Sequence, residues 1–340
     1  MDNAELLKTI FFFTFFLAFN KICVNYNFFS NNISISKHKS FIKKSHKVLI
    51  IGGFFLLFGN IIFQKDFFLD YKNLFYSCLF CIGLFADIYK KFYPSIRLLL
   101  QVLIILFFVK IFNVTIKDVR IDFLNSILSK EFISIIFTVF CITILINGSN
   151  FIDGVNLSTI SYYLLVFVTI FFLSENNNLF VDKYFLKIQI FLLLILLILN
   201  FINYLYLGDS GVYFISFITS FVIINFINNN SSISPYFAVL LLWYPCFENL
   251  FSIIRRISSS KKTHQADNYH LHHLMYLFFL KKNVLYPSNC TGVFVLFFNL
   301  IIFLLGSRFY DKTVYLLFLI FISTSIYCCC YFYLRKLLKR

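Results

Sequence analysis

Eleven apolar runs, each close to the length needed to cross a bilayer as a helix, divide this 340-residue chain from one end to the other. They fall at roughly 4–24, 48–64, 71–87, 96–113, 132–150, 157–174, 184–203, 211–228, 235–254, 289–306 and 313–334. The runs are continuous rather than alternating, which argues against a transmembrane barrel. The polar stretches between them are too short to bury a core of their own. The pattern predicts an all-α, polytopic integral membrane protein with about 11 transmembrane helices and a single domain over residues 1–340. Asp2 and Glu5 make a poor basic leader, so the first run is expected to be an uncleaved helix.

The formal net charge of +15 would suit a nucleic-acid binder, but the cations sit in short loops beside apolar runs. They read as orientation signals, and no nucleic-acid partner is expected. Lysines and arginines gather at 37–47, at 255–282 and in the tail that ends at Arg340. With eleven spans, all three regions share one face. That face is predicted to be cytoplasmic, with the N-terminus outside, the C-terminus inside, and the protein in the cell inner (plasma) membrane. The nine cysteines follow no metal-ligand spacing, and Cys328–Cys330 read as small apolar residues of the last run.

Four polar islands stand at the ends of apolar runs: FADIYKK (85–91), NGSNFIDGVN (147–156), YLGDSG (206–211) and ADNYHLHH (266–273). An Asp at the centre of a membrane helix costs about 2.5–3.5 kcal/mol on insertion scales, so such residues imply a function. The parity of the spans puts all four islands on the predicted cytoplasmic face. Asp87, Asp153 and Asp209 each stand near a glycine, and converging carboxylates suit magnesium, which takes one or two of them plus phosphate oxygens. Asn147, Asn150 and Asn156 offer amides that can read a base or a sugar. His270, His272 and His273, with Asp267 ahead of them and Arg255 and Arg256 upstream, fit neither a zinc finger nor a metalloprotease. They suit recognition of a pyrophosphate.

In order along the chain, five stretches resemble the polyprenyl-phosphate N-acetylhexosamine-1-phosphate transferase superfamily. They are SHKVLIIGG (45–53), GLFADIYKKFYPSIRLLLQ (83–101), NFIDGVN (150–156), LGDSGVYFISF (207–217), and PCFENLFSIIRR (245–256) followed by HLHH (270–273). The resemblance implies an integral membrane phosphoglycosyl transferase. A polyprenyl phosphate, such as undecaprenyl phosphate, attacks the β-phosphate of a UDP-N-acetylhexosamine. UMP leaves, and a polyprenyl-diphosphate sugar that starts a cell-envelope polysaccharide remains. It implies Mg2+, with Mn2+ as a substitute, held by Asp209. Asp87 and Asp153 would position the metal or the lipid phosphate. Asn147, Asn150 and Asn156 would contact the nucleotide sugar. His270, His272 and His273, with Arg255, Arg256 and Asp267, would hold the diphosphate. A homodimer is kept as an option for assembly.

Three positions depart from the family pattern. Its acidic pair is Ala86–Asp87 here, a usual glycine is Leu157, and a proline-containing stretch before Gly52-Gly53 is absent. Ala86 motivates an alternative, a family member that binds lipid or partners without turnover. A polar-solute transporter is the other alternative, but transporters carry their charges near the midplane rather than at one surface.

Overall fold

The protein is described by a computed structural model that covers residues 3–26, 28–29, 48–64, 66–89, 91–258 and 269–338. Its elements, in order, are α1 (Asn3–Asn25), β1 (Leu49–Ile50), α2 (Gly52–Phe63), α3 (Tyr71–Ile88), α4 (Pro94–Phe112), α5 (Asp122–Leu128), α6 (Glu131–Ile152) and α7 (Ser158–Asn177). There follow α8 (Lys183–Phe201), β2 (Leu205–Tyr206), α9 (Gly208–Asn229), α10 (Pro235–Leu241), α11 (Trp243–Ser258), α12 (Leu271–Lys281), α13 (Pro287–Arg308) and α14 (Thr313–Leu338).

The helices start and stop where local chemistry says they should. Asp70 accepts from the amide of Lys72 and Asp182 from that of Phe185, capping α3 and α8. Proline opens α4, α10 and α13, at the first position, where its missing N–H costs nothing. α4 and α7 end on Asn113 and Asn178, both left-handed.

The all-α polytopic expectation holds. Among the described residues eight helices (α1, α4, α6, α7, α8, α9, α13 and α14) are long and apolar enough to span, and the bent pair α10–α11 makes nine. Two of the expected eleven, α2 and α3, fall outside that set by length and composition. The run 48–64 opens with a strand, which leaves α2 only 12 residues long. α3 has 18 residues, and Lys72, Asn73 and Asp87 lower its hydropathy.

α9 and α7 form the centre: 83% and 72% of their apolar windows are buried, against 22% of α1 and 17% of α14. The phenylalanines fill the space between helices as edge-on pairs, such as Phe108 on Phe217 at 4.8 Å and Phe16 on Phe55 at 4.9 Å. Others, including Phe107, Phe172 and Phe321, face outward as a lipid-facing surface does.

The break between α10 and α11 bends the chain by 72° at Leu242. Its freed backbone finds partners inside the bundle, as it must in an apolar medium. The Tyr162 hydroxyl donates to the carbonyl of Leu241 at 2.8 Å. Just past the break, the indole N–H of buried Trp243 donates to Asn299 at 2.9 Å. At the end that carries the polar islands, β1 and β2 pair in parallel, Leu49 with Leu205 and Ile50 with Tyr206. This short ladder ties the entry of α2 to the entry of α9.

Candidate active site

The first amides of a helix need acceptors and attract negative charge. At the start of α9 that acceptor comes from α3. Gly208, at φ +77°, turns the chain from β2 into the helix. Asp87, in the last turn of α3, accepts from the amide of Asp209 through Oδ1 and from the amide and hydroxyl of Ser210 through Oδ2, all at 3.0 Å. The approach depends on Gly83, one turn earlier. A Cβ there would lie 2.5 Å from the Asp209 carbonyl oxygen and from Ser210 Cα. Gly52 and Gly53 of α2 lie equally close on the other side, where a Cβ would meet Leu207 Cα at 2.8 Å and Ser210 Oγ at 2.5 Å. The Gly-Asp-Ser-Gly turn is clasped between two helices that have no side chains in the way.

Arg97, in the first turn of α4, donates to Oδ2 of Asp209 at 3.0 Å, and both side chains keep some exposure. One turn further along α4, Gln101 accepts from Asn147 of α6 at 3.2 Å. α4 therefore joins the carboxylate corner to the second island. Asn147 and Asn150 are three residues apart, and so share a face of α6.

The second island rests on the histidines. A Cβ on Gly154 would lie 2.3 Å from Nε2 of His273 and 2.6 Å from Nε2 of His272. The rings of His272 and His273 are 4.3 Å apart, and His270 stacks on His272 at 5.6 Å. All three are buried. Phe151 packs on His270 at 5.1 Å and carries the Arg256 guanidinium over its ring at 5.4 Å. Arg255 turns the other way, bonding the Tyr269 carbonyl and lying over Phe251 and Tyr331. Asp153 ends α6 and, with Gly154, Asn156, Thr159, Tyr206 and Leu207, lines a small cleft between the histidine-backed turn and β2. Burial pushes the Tyr206 hydroxyl up to about 12, so it stays protonated at neutral pH.

The structure thus brings together Asp87 with Asp209, and Asp153 with His272 and His273, at one end of the bundle. Asn156 faces inward. Its amide donates to Asn203 at 2.6 Å and to Asn289 at 2.8 Å, and its N–H to Ser288, so its visible work is to tie α13 to the turn. Asp267 lies outside the described residues. Leu157 adopts φ +68° with its amide on Asn200 at 2.7 Å, a left-handed conformation that a glycine would take without strain.

Sequence reasoning gave no role to Arg97, Phe151, Ser210, Glu248 or Tyr327. Glu248 had a usable signal, being an isolated carboxylate in an apolar run. Tyr327 had none.

Taken together, the fold and site define a multi-pass helical membrane protein with an acidic and histidine-rich centre at one end. Residues 73–227 match the family model described as Glycosyl transferase family 4. The resemblance read from the motifs is borne out over that stretch, which is similar to the transferases of this family. The match holds α3 through α9 with Asp87, Asp153 and Asp209, and ends before Glu248 and the histidines. None of the curated proteins matches the chain.

Proposed function

We propose that the protein transfers an N-acetylhexosamine-1-phosphate from a UDP-sugar to a polyprenyl phosphate at the cytoplasmic face of the cell membrane. The observation that carries this reading is the meeting of the Asp87–Asp209–Arg97 corner and the histidine-backed Asp153–Gly154 turn at one end of the bundle. Such a transfer needs positioning and charge neutralisation more than proton chemistry. An oxygen of the lipid phosphate attacks the β-phosphorus, the bond to the UMP oxygen breaks, and UMP leaves as the anion.

In this reading His272, His273 and Arg256 bind the diphosphate, and Asn147 and Asn150 orient the nucleotide sugar. Asp153 orients the lipid phosphate, and Arg97 fixes Asp209. Magnesium belongs to the proposal. The donors at the corner are hard carboxylate oxygens, which suit it. Among the described residues no three His, Cys, Asp or Glu side chains form a cage. Asp209 would therefore hold an ion whose other ligands come from substrate and water. Bound, the ion would neutralise charge on the diphosphate.

The test is UMP release from membranes, with a panel of UDP-sugars and added polyprenyl phosphate. Release that depends on the lipid, is lost with chelator and is lost in Asp209→Asn is the expected result. Full activity in Asp209→Asn, or release without the lipid, overturns the reading.

A second reading has its own observation. With Ala86 in place of an acid, Asp87 is the acidic residue left in that loop motif, and both its oxygens serve the amides of α9. A protein that binds the lipid without turnover would show no UMP release with any UDP-sugar, and would gain it on Ala86→Asp.

A further inference from the structure

A carboxylate with no exposure inside an apolar bundle is costly unless donors surround it. Glu248, on α11, is such a group. Its Oε1 is 2.8 Å from Nδ1 of His270, and its Oε2 accepts from the hydroxyl of Tyr327 on α14. The three side chains are 0 to 1% exposed. Ser252 Oγ stands 3.3 Å from the same Nδ1. The His270 ring is gripped by Phe151 and stacked on His272.

We propose that Glu248 and Tyr327 are positioning residues that keep a proton on Nδ1 of His270 and thereby fix the block of three histidines behind Gly154. An ionised carboxylate can only accept, so the short approach to Nδ1 requires an N–H there. Tyr327 supplies the second donor and locks the carboxylate in plane. His270 does not meet the substrate in this arrangement; it is the backing on which His272 and His273 rest. The tautomer matters because a ring turned over to suit Glu248 would present a different edge to His272. The inference makes α14, which lies outside the family match, part of the site. For its effect on turnover, it rests on the transferase reading.

Two readouts on the full chain in lipid nanodiscs test it. Protein labelled with ring-15N histidine gives the protonation of each nitrogen, and loss of a signal in His270→Gln assigns that residue. Wild type should show Nδ1 of His270 protonated. Glu248→Gln keeps an acceptor and should retain that signal, whereas Glu248→Leu should lose it. In the UMP-release assay, kcat/KM should fall roughly tenfold to hundredfold in Glu248→Leu, the range of a charge-assisted hydrogen bond. Glu248→Gln should recover most of that loss, and Tyr327→Phe should fall between them. A deprotonated Nδ1 in wild type overturns the proposal. So does a folded Glu248→Leu protein with unchanged spectrum and kcat/KM. If Glu248→Leu does not insert, Tyr327→Phe and Glu248→Gln carry the test. A wild type that releases no UMP sinks the transferase reading alone, because the nitrogen signals still decide the proton's place.

Discussion

Gly83→Ala should be among the most damaging one-carbon changes in the protein. The new Cβ would lie 2.5 Å from the Asp209 carbonyl oxygen, 2.5 Å from Ser210 Cα and 2.6 Å from the Asp209 carbonyl carbon. These atoms are all backbone, so no rotamer change relieves the contact. Ordinary van der Waals contact for a Cβ begins near 3.4 Å, so α3 must move about 1 Å from the start of α9. Asp87 is one turn along the same helix, and its 3.0 Å bonds to Asp209 and Ser210 would stretch to about 4 Å, beyond hydrogen-bond reach. Overpacking costs about 1–3 kcal/mol and each lost bond to a charged group about 1.5–3 kcal/mol, partly shared, so a loss of about 2–4 kcal/mol is expected. A 1 Å displacement of Asp209 should cut transfer roughly hundredfold. The control is Gly59→Ala. Its Cβ comes even closer to a neighbour, 2.4 Å, but that neighbour is Cδ2 of Leu192, the end of a side chain that can rotate. Gly59→Ala should cost about 1–2 kcal/mol, less than Gly83→Ala, and leave activity within about threefold. UMP release and thermal unfolding of the purified variants measure both. Wild-type activity in Gly83→Ala, or greater damage from Gly59→Ala, would refute the reasoning.

Leu157→Gly should be more stable than Leu157→Ala by about 1 kcal/mol, because both lose the buried side chain but only Gly relieves φ +68°; thermal unfolding of the pair checks it. Tyr206 is raised by burial to about 12, while the unfolded chain ionises near 10. Its contribution is therefore complete below pH 10 and is lost as pH rises from 10 to 12, by about 3 kcal/mol; Tyr206→Phe should flatten that fall in a pH series of unfolding midpoints. Asp87→Ala should abolish UMP release by removing the acceptor for two amides of α9, whereas Ala86→Asp should preserve or raise it. For orientation, a cysteine at exposed Lys91 should be labelled only from the cytoplasm and one at exposed Asn229 only from outside. Labelling of both from one side would break the proposed topology.

The polar residues gathered at one end of the bundle were legible where chemistry is local. An Asp beside a glycine at the end of an apolar run is visible in one dimension, which is why Asp87, Asp153 and Asp209 stood out. That Asp87 spends both oxygens on α9 was not visible, since the partner is 122 residues away. The length of α2 shows a related limit. The run 48–64 is apolar throughout, and only its pairing with Leu205 and Tyr206 converts the first residues to a strand. Tyr327 shows the limit most clearly. It is one of 21 tyrosines, in a run whose hydropathy says only that it can lie in lipid, and its role depends on a carboxylate on another helix. Arg97 lay within a quoted stretch, but nothing in its neighbours names Asp209.

Trp243, just past the bend between α10 and α11, is the chain's one tryptophan. Excitation on the red edge of protein absorption therefore addresses a single chromophore, despite 21 tyrosines. Its indole is 3% exposed and hydrogen-bonded to Asn299, so emission should be blue-shifted and poorly quenched by iodide while the bend is intact. The bend carries its own built-in optical gauge, readable in the purified protein without a label.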